Sequence, residues 1–100
     1  MIRSRAMIAT KFATKYLIQL SKHWSHKFPK LTYSETEAHI PLSEIITINM
    51  FADENSLVVQ ILTPDELEAL RMEGVFVNHL QRFAFREELT IHWSRETLAS

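Results

Sequence analysis

Two periodicities divide the chain. Across residues 11–25 apolar side chains return every three to four positions, so Ala13, Tyr16, Leu17, Leu20 and Trp24 share one face of a helix while Lys11, Lys15 and Lys22 share another. Thr10 stands where an N-cap belongs, and Pro29 closes the segment because it has no N–H to donate. From residue 31 to 62 the period falls to two, and β-branched side chains accumulate at Thr32, Ile40, Ile45, Ile46, Thr47, Ile48, Val58, Val59 and Ile61. Strands are predicted near residues 31–35, 37–41, 45–52 and 57–62, with turns at 34–35, 41–44 and 53–56, forming an antiparallel meander.

Helical spacing returns after Thr63-Pro64-Asp65-Glu66. This run reads as a threonine N-cap, proline at the first helical position and a glutamate that completes a capping box. The helix is predicted to reach about Phe83, with Ala69, Phe76, Leu80 and Phe83 at its apolar centre and Leu70, Met72 and Val77 at the margins. Gly74, the only glycine, sits inside it at a cost of about 1 kcal/mol relative to alanine, which predicts a close backbone contact there. Residues 4–9 read as a short edge strand, residues 89–93 as a last strand, and a frayed tail follows from Ser94. The order β-α-β-β-β-β-α-β is that of an α+β fold: an antiparallel sheet of five to six strands with two α-helices on one face.

Length and composition narrow the class. One hundred residues, 46% hydrophobic with ten aromatics, make a single α+β domain over residues 1–100, with an ordered core over about 4–93. The lack of cysteine excludes disulfides, thiolate metal sites and a cysteine nucleophile, and suits a cytoplasmic protein. No apolar run approaches the roughly 18 residues of a membrane span, so no membrane partner is expected. The net charge of −1 conceals an asymmetry: Arg3, Arg5, Lys11, Lys15, Lys22, Lys27 and Lys30 all precede the first acid, Glu35, after which four arginines face twelve acids. A basic, acid-free start also fits a mitochondrial targeting peptide, but these residues are needed for the first strand and helix. The lysine stripe would attract phosphates, yet it has no interleaved aromatics and the acidic remainder opposes it, so nucleic acid is not expected as a partner.

The residues with chemistry to offer cluster on the two helices. His23 and His26, three apart, project to one flank and offer two imidazoles, a weak metal site without a third ligand. His79, Arg82 and Arg86 form a second stripe bordered by Phe83, suited to a small planar anion held by arginine forks. Glu73 projects near the apolar centre of its helix, where a carboxylate needs a partner or a raised pKa, and is a candidate proton-handling group. Phosphate loops, nucleophile elbows and zinc-protease motifs are all missing from the sequence, so an enzyme is the less favoured reading and no catalytic residue is assigned.

The pattern Tyr16-Leu17-x-Gln19-Leu20-x-Lys22-His23-Trp24-x-His26-Lys27, taken with His79-Leu80-x-Arg82-Phe83-Ala84-Phe85-Arg86-Glu87-Glu88-Leu89 and Trp93, resembles the small bacterial domain-of-unknown-function 2218 family over about residues 4–93. The resemblance implies no assigned activity or cofactor. Some members are joined to a flavin-dependent, siderophore-interacting reductase domain, which implies a link to iron handling. Members often carry cysteine where Ser21 stands and a glycine-containing hairpin where residues 37–42 stand.

The expected function is a non-enzymatic ligand-binding or accessory domain, with iron or siderophore handling implied by the resemblance. Its site would join His23, His26, His79, Arg82 and Arg86 around a small anionic ligand. The alternative is a protein-interaction module that forms a homodimer through its sheet face or edge strands.

Overall fold

The computed structural model describes residues 1–99 and contains the predicted elements in the predicted order. They are β1 (Ile2–Ala9), α1 (Ala13–Ser25), β2 (Thr32–Tyr33), β3 (Glu37–Pro41), β4 (Thr47–Ala52), β5 (Ser56–Thr63), α2 (Glu66–Phe83) and β6 (Ser94–Thr97). The strands form one antiparallel sheet in the order β2-β3-β4-β5-β1-β6.

Period-two patterning and register together make one face of this sheet dry. Ile8, Ala6 and Ser4 of β1 lie opposite Leu57, Val59 and Ile61 of β5, which lie opposite Ala52, Met50 and Ile48 of β4. All nine are buried. Both helices cover this face: α1 brings Ala13, Tyr16, Leu17, Leu20 and Trp24, and α2 brings Ala69, Met72, Phe76 and Leu80. Each large apolar side chain removed from water contributes about 1.5–3 kcal/mol, which gives the helices their place on the sheet.

The meander turns without glycine. Ser34 Oγ accepts from the Thr36 and Glu37 amides, Ser43 Oγ from Ile45 and Ile46, and Asp53 Oδ1 from Asn55 and Ser56 at 2.8 and 2.7 Å. A side-chain oxygen closes each hairpin, and no described residue has positive φ. Those two amide bonds stabilise the charged form of Asp53 and hold its carboxyl below the usual range.

Several sequence expectations are corrected. β1 is an interior strand between β5 and β6, not an edge, because alternation reports burial of one face and says nothing of how many neighbours a strand has. The last strand is Ser94–Thr97, which pairs with β1 where a frayed tail was expected. Residues 89–93 are irregular, although Leu89, Ile91 and Trp93 do pack alternately against the core. Ser100, also part of the expected tail, lies outside the described residues.

The N-cap of α2 is Asp65, whose side chain accepts from the Glu68 amide at 2.8 Å, while Thr63 is the buried end of β5. The N-cap position of α1 is Phe12, with no side-chain cap. Gly74 is exposed, and a Cβ built there meets nothing within 4 Å, so the expected close contact does not exist. Main-chain pairing continues past β6, where Leu98 N donates to the Met1 carbonyl at 2.8 Å.

Candidate functional site

A cleft of about 670 Å³ opens where the end of α1, the middle of α2 and the β3–β4 turn meet. Arg71, Val75 and His79 repeat every four residues and so share one face of α2, while His23 lies in the last turn of α1 and Lys27 just beyond its end. Trp24, Phe28, Leu42, Ile46 and Met72 supply apolar walls.

The His79 ring lies 5.2 Å from Trp24 and 5.4 Å from His23, centroid to centroid. His79 Nδ1 is 2.7 Å from the Val75 carbonyl. A carbonyl only accepts, so Nδ1 is the donor of this bond and carries a proton. Arg71 is tied to Glu68 through Nη2 at 2.6 Å and Nε at 2.9 Å, and these charge-assisted bonds raise its pKa. Arg71 is exposed and Glu68 half-buried, so water screens the pair and the guanidinium can turn to an incoming anion. Lys27 Nζ stands 5.8 Å from the Phe28 ring centroid. None of the lining residues is acidic.

Of the residues singled out in the sequence, the structure brings His23 and His79 together here. His26, Arg82 and Arg86 are exposed and do not line the cleft. The reason is geometric: α1 ends at Ser25, so His26 is its C-cap, and α2 ends at Phe83, so the stripe extrapolated to Arg86 runs off the helix. Arg86 instead lies over the Phe85 ring, 5.5 Å from its centroid. Lys27, Arg71 and the turn residues Leu42 and Ser43 escaped the sequence reading. The eight-residue spacing from His79, about two helical turns, could have found Arg71. Among the described residues no group of three or more His, Asp or Glu side chains is placed to hold a metal ion.

The two carboxylates nearest the core are engaged elsewhere. Glu73, only 6% exposed, accepts from Ser4 Oγ at 2.6 Å and from Arg95 Nε and Nη2 at 2.8 and 2.9 Å. Burial raises its pKa, but the Arg95 fork and the Ser4 hydroxyl outweigh it, and the carboxyl titrates below its ordinary value. Glu73 is therefore an ionised anchor for β6 and a weak base. Glu87, just after α2, accepts from the Tyr16 hydroxyl and from Thr10 Oγ1, which in turn accepts from the Phe12 amide at 3.1 Å. Burial first, then the bond to Glu87, pushes the Tyr16 phenol up to about 12. Ser21 is fully buried and its hydroxyl has no hydrogen-bond partner.

These features define a small α+β domain with an all-antiparallel six-stranded sheet, both helices on one face and a basic, aromatic cleft where the end of one helix meets the middle of the other. The chain belongs to the family of uncharacterised proteins conserved in bacteria termed DUF2218, whose family model matches residues 5–94. It is similar to PA4090 from Pseudomonas aeruginosa, known from an NMR structure, with 31% identity and a TM-score of 0.78 over 94% of this chain and 96% of that one. No curated protein matches the chain.

Proposed function

We propose that the protein is a non-enzymatic binding domain for a small anionic ligand with a planar apolar body, held in the cleft between α1, α2 and the β3–β4 turn. The observation that carries this reading is the lining itself: Lys27, Arg71, His23 and His79 surround aromatic and aliphatic walls with no carboxylate among them. A flat ring would lie against the His79 ring and the Phe28 and Leu42 walls, while its anionic oxygens meet Lys27 and Arg71. Neither Glu73 nor Glu87 reaches the cleft, since both are bonded elsewhere, and Ser43 Oγ is engaged with two backbone amides.

Two imidazoles alone make a poor iron site, so iron would arrive already chelated. A ferric siderophore built on catecholate or hydroxybenzoate rings has the planar, anionic character described. The reducing cytoplasm is part of the same reading, supported by the absence of cysteine.

Trp24 fluorescence in a Trp93→Phe background, titrated with salicylate, dihydroxybenzoate, its ferric complex and haem, tests the proposal. Saturable quenching by at least one of them is expected, with affinity reduced about tenfold or more by Lys27→Glu, a loss of about 1.4 kcal/mol. No saturable response from any of the four at near-millimolar ligand, or a response that Lys27→Glu leaves unchanged, would overturn it.

A further inference from the structure

The sheet face turned away from the helices is uncovered in the single chain, and the strand register sorts its side chains into rows. One row runs Glu37, Phe51, Val58, Met7 across β3, β4, β5 and β1; the next runs His39, Asn49, Gln60, Arg5. Phe51 is 39% and Met7 60% exposed. The first row is apolar apart from the carboxylate at its β3 end. The second is polar, with His39 Nδ1 and Asn49 Oδ1 2.7 Å apart and a cation at its β1 end.

We propose that this face docks against the same face of a second copy of the chain, about a two-fold axis parallel to the strands and passing between β4 and β5. Such an axis leaves every row at its own height and reverses the strand order above it. Phe51 then meets Val58 of the partner subunit, Asn49 meets Gln60 of the partner subunit, and β3 lies over the partner's β1. Glu37 is thereby set one row from Arg5 of the partner subunit, with sheets about 10 Å apart and so within reach of the two long side chains. The contact is formed twice by symmetry.

An in-plane axis perpendicular to the strands and passing between the two rows exchanges them instead. It would set Phe51 against the amides of Asn49 and Gln60, costing desolvation with no hydrogen bond in return. The parallel axis is the one that keeps both rows matched along their length, and opposite charges at opposite ends of adjacent rows reinforce it. The footprint is about 20 Å on a side from strand spacing and rise. That is modest beside the roughly 800 Å² per partner of a stable interface, so a reversible dimer in the micromolar range or weaker is expected.

Sedimentation equilibrium from micromolar to near-millimolar protein should show a dimer that dissociates on dilution. Phe51→Glu should weaken it about tenfold or more. Glu37→Arg and Arg5→Glu should each weaken it, and their combination in one chain should restore it. All three positions are exposed, and unchanged circular dichroism melts will separate lost association from lost folding. A monomer at every concentration, a dimer indifferent to Phe51→Glu, or a double charge swap that restores nothing would each overturn the proposal.

Discussion

Gly74 is the residue whose structural setting least explains its identity. It lies on the exposed side of α2 with open space where a Cβ would be, and its φ is negative. Gly74→Ala therefore removes backbone entropy from the unfolded chain without creating a clash, and should stabilise the protein by about 0.5–1 kcal/mol. Calorimetry should show a rise in Tm of several degrees; a fall would mean that the glycine serves a contact not formed within a single chain. Tyr16 makes the opposite kind of statement. Its folded pKa of about 12 lies above the ordinary phenol value of 10.0, so the native state keeps a proton that the unfolded chain loses. Its contribution is complete below the ordinary value and is lost as pH rises from there towards the folded one. Tyr16→Phe should flatten the alkaline limb of a Tm-against-pH curve. At neutral pH it should also cost about 1–3 kcal/mol, because Glu87 loses a donor in a partly buried place.

At the scale of elements, β6 shows how a short strand is retained. Its four residues are all exposed, yet Arg95 reaches across β1 to form a two-bonded fork with Glu73 on α2. Arg95→Ala would leave a buried carboxylate with only Ser4, and should destabilise the fold by about 1–3 kcal/mol at neutral pH. Because the folded carboxyl titrates below its ordinary value, the pair's contribution is present above the ordinary carboxylate range and falls away as pH drops through the folded value. The variant should therefore differ most from the parent at neutral pH and converge with it in acid, which thermal melts across that range will check.

The elements themselves were largely legible in the sequence. The helical face of Tyr16, Leu17, Leu20 and Trp24 and the period-two runs of β3, β4 and β5 are each buried as their spacing implies. What could not be read was pairing. Alternation at Leu89, Ile91 and Trp93 records three side chains turned to the core, and no ladder forms there. Asp65 prevailed over Thr63 as a cap because Thr63 was already buried at the end of β5.

At the scale of the whole molecule, the cleft depends on distances that no local pattern contains. Which flank of α1 meets α2 is set by both helices seating on one sheet face, and that choice takes Lys27 into the cleft and leaves His26 outside. The β3–β4 turn completes the wall only because β3 and β4 lie under the end of α1. The cleft and the uncovered sheet face are on opposite sides of the sheet, so a bound anion and a docked second copy would occupy separate surfaces.

The bond from Leu98 to the Met1 carbonyl, together with the adjacency of β1 and β6, brings the first and last residues of the described chain side by side. A short linker could join them, and new ends could then be opened in the exposed turn at Asp53, leaving every strand ladder intact. The same adjacency would let the whole unit sit as an insert within a loop of a larger host, entered and left at nearly one point. The fold is therefore as well suited to circular permutation and grafting as to a place at the end of a chain.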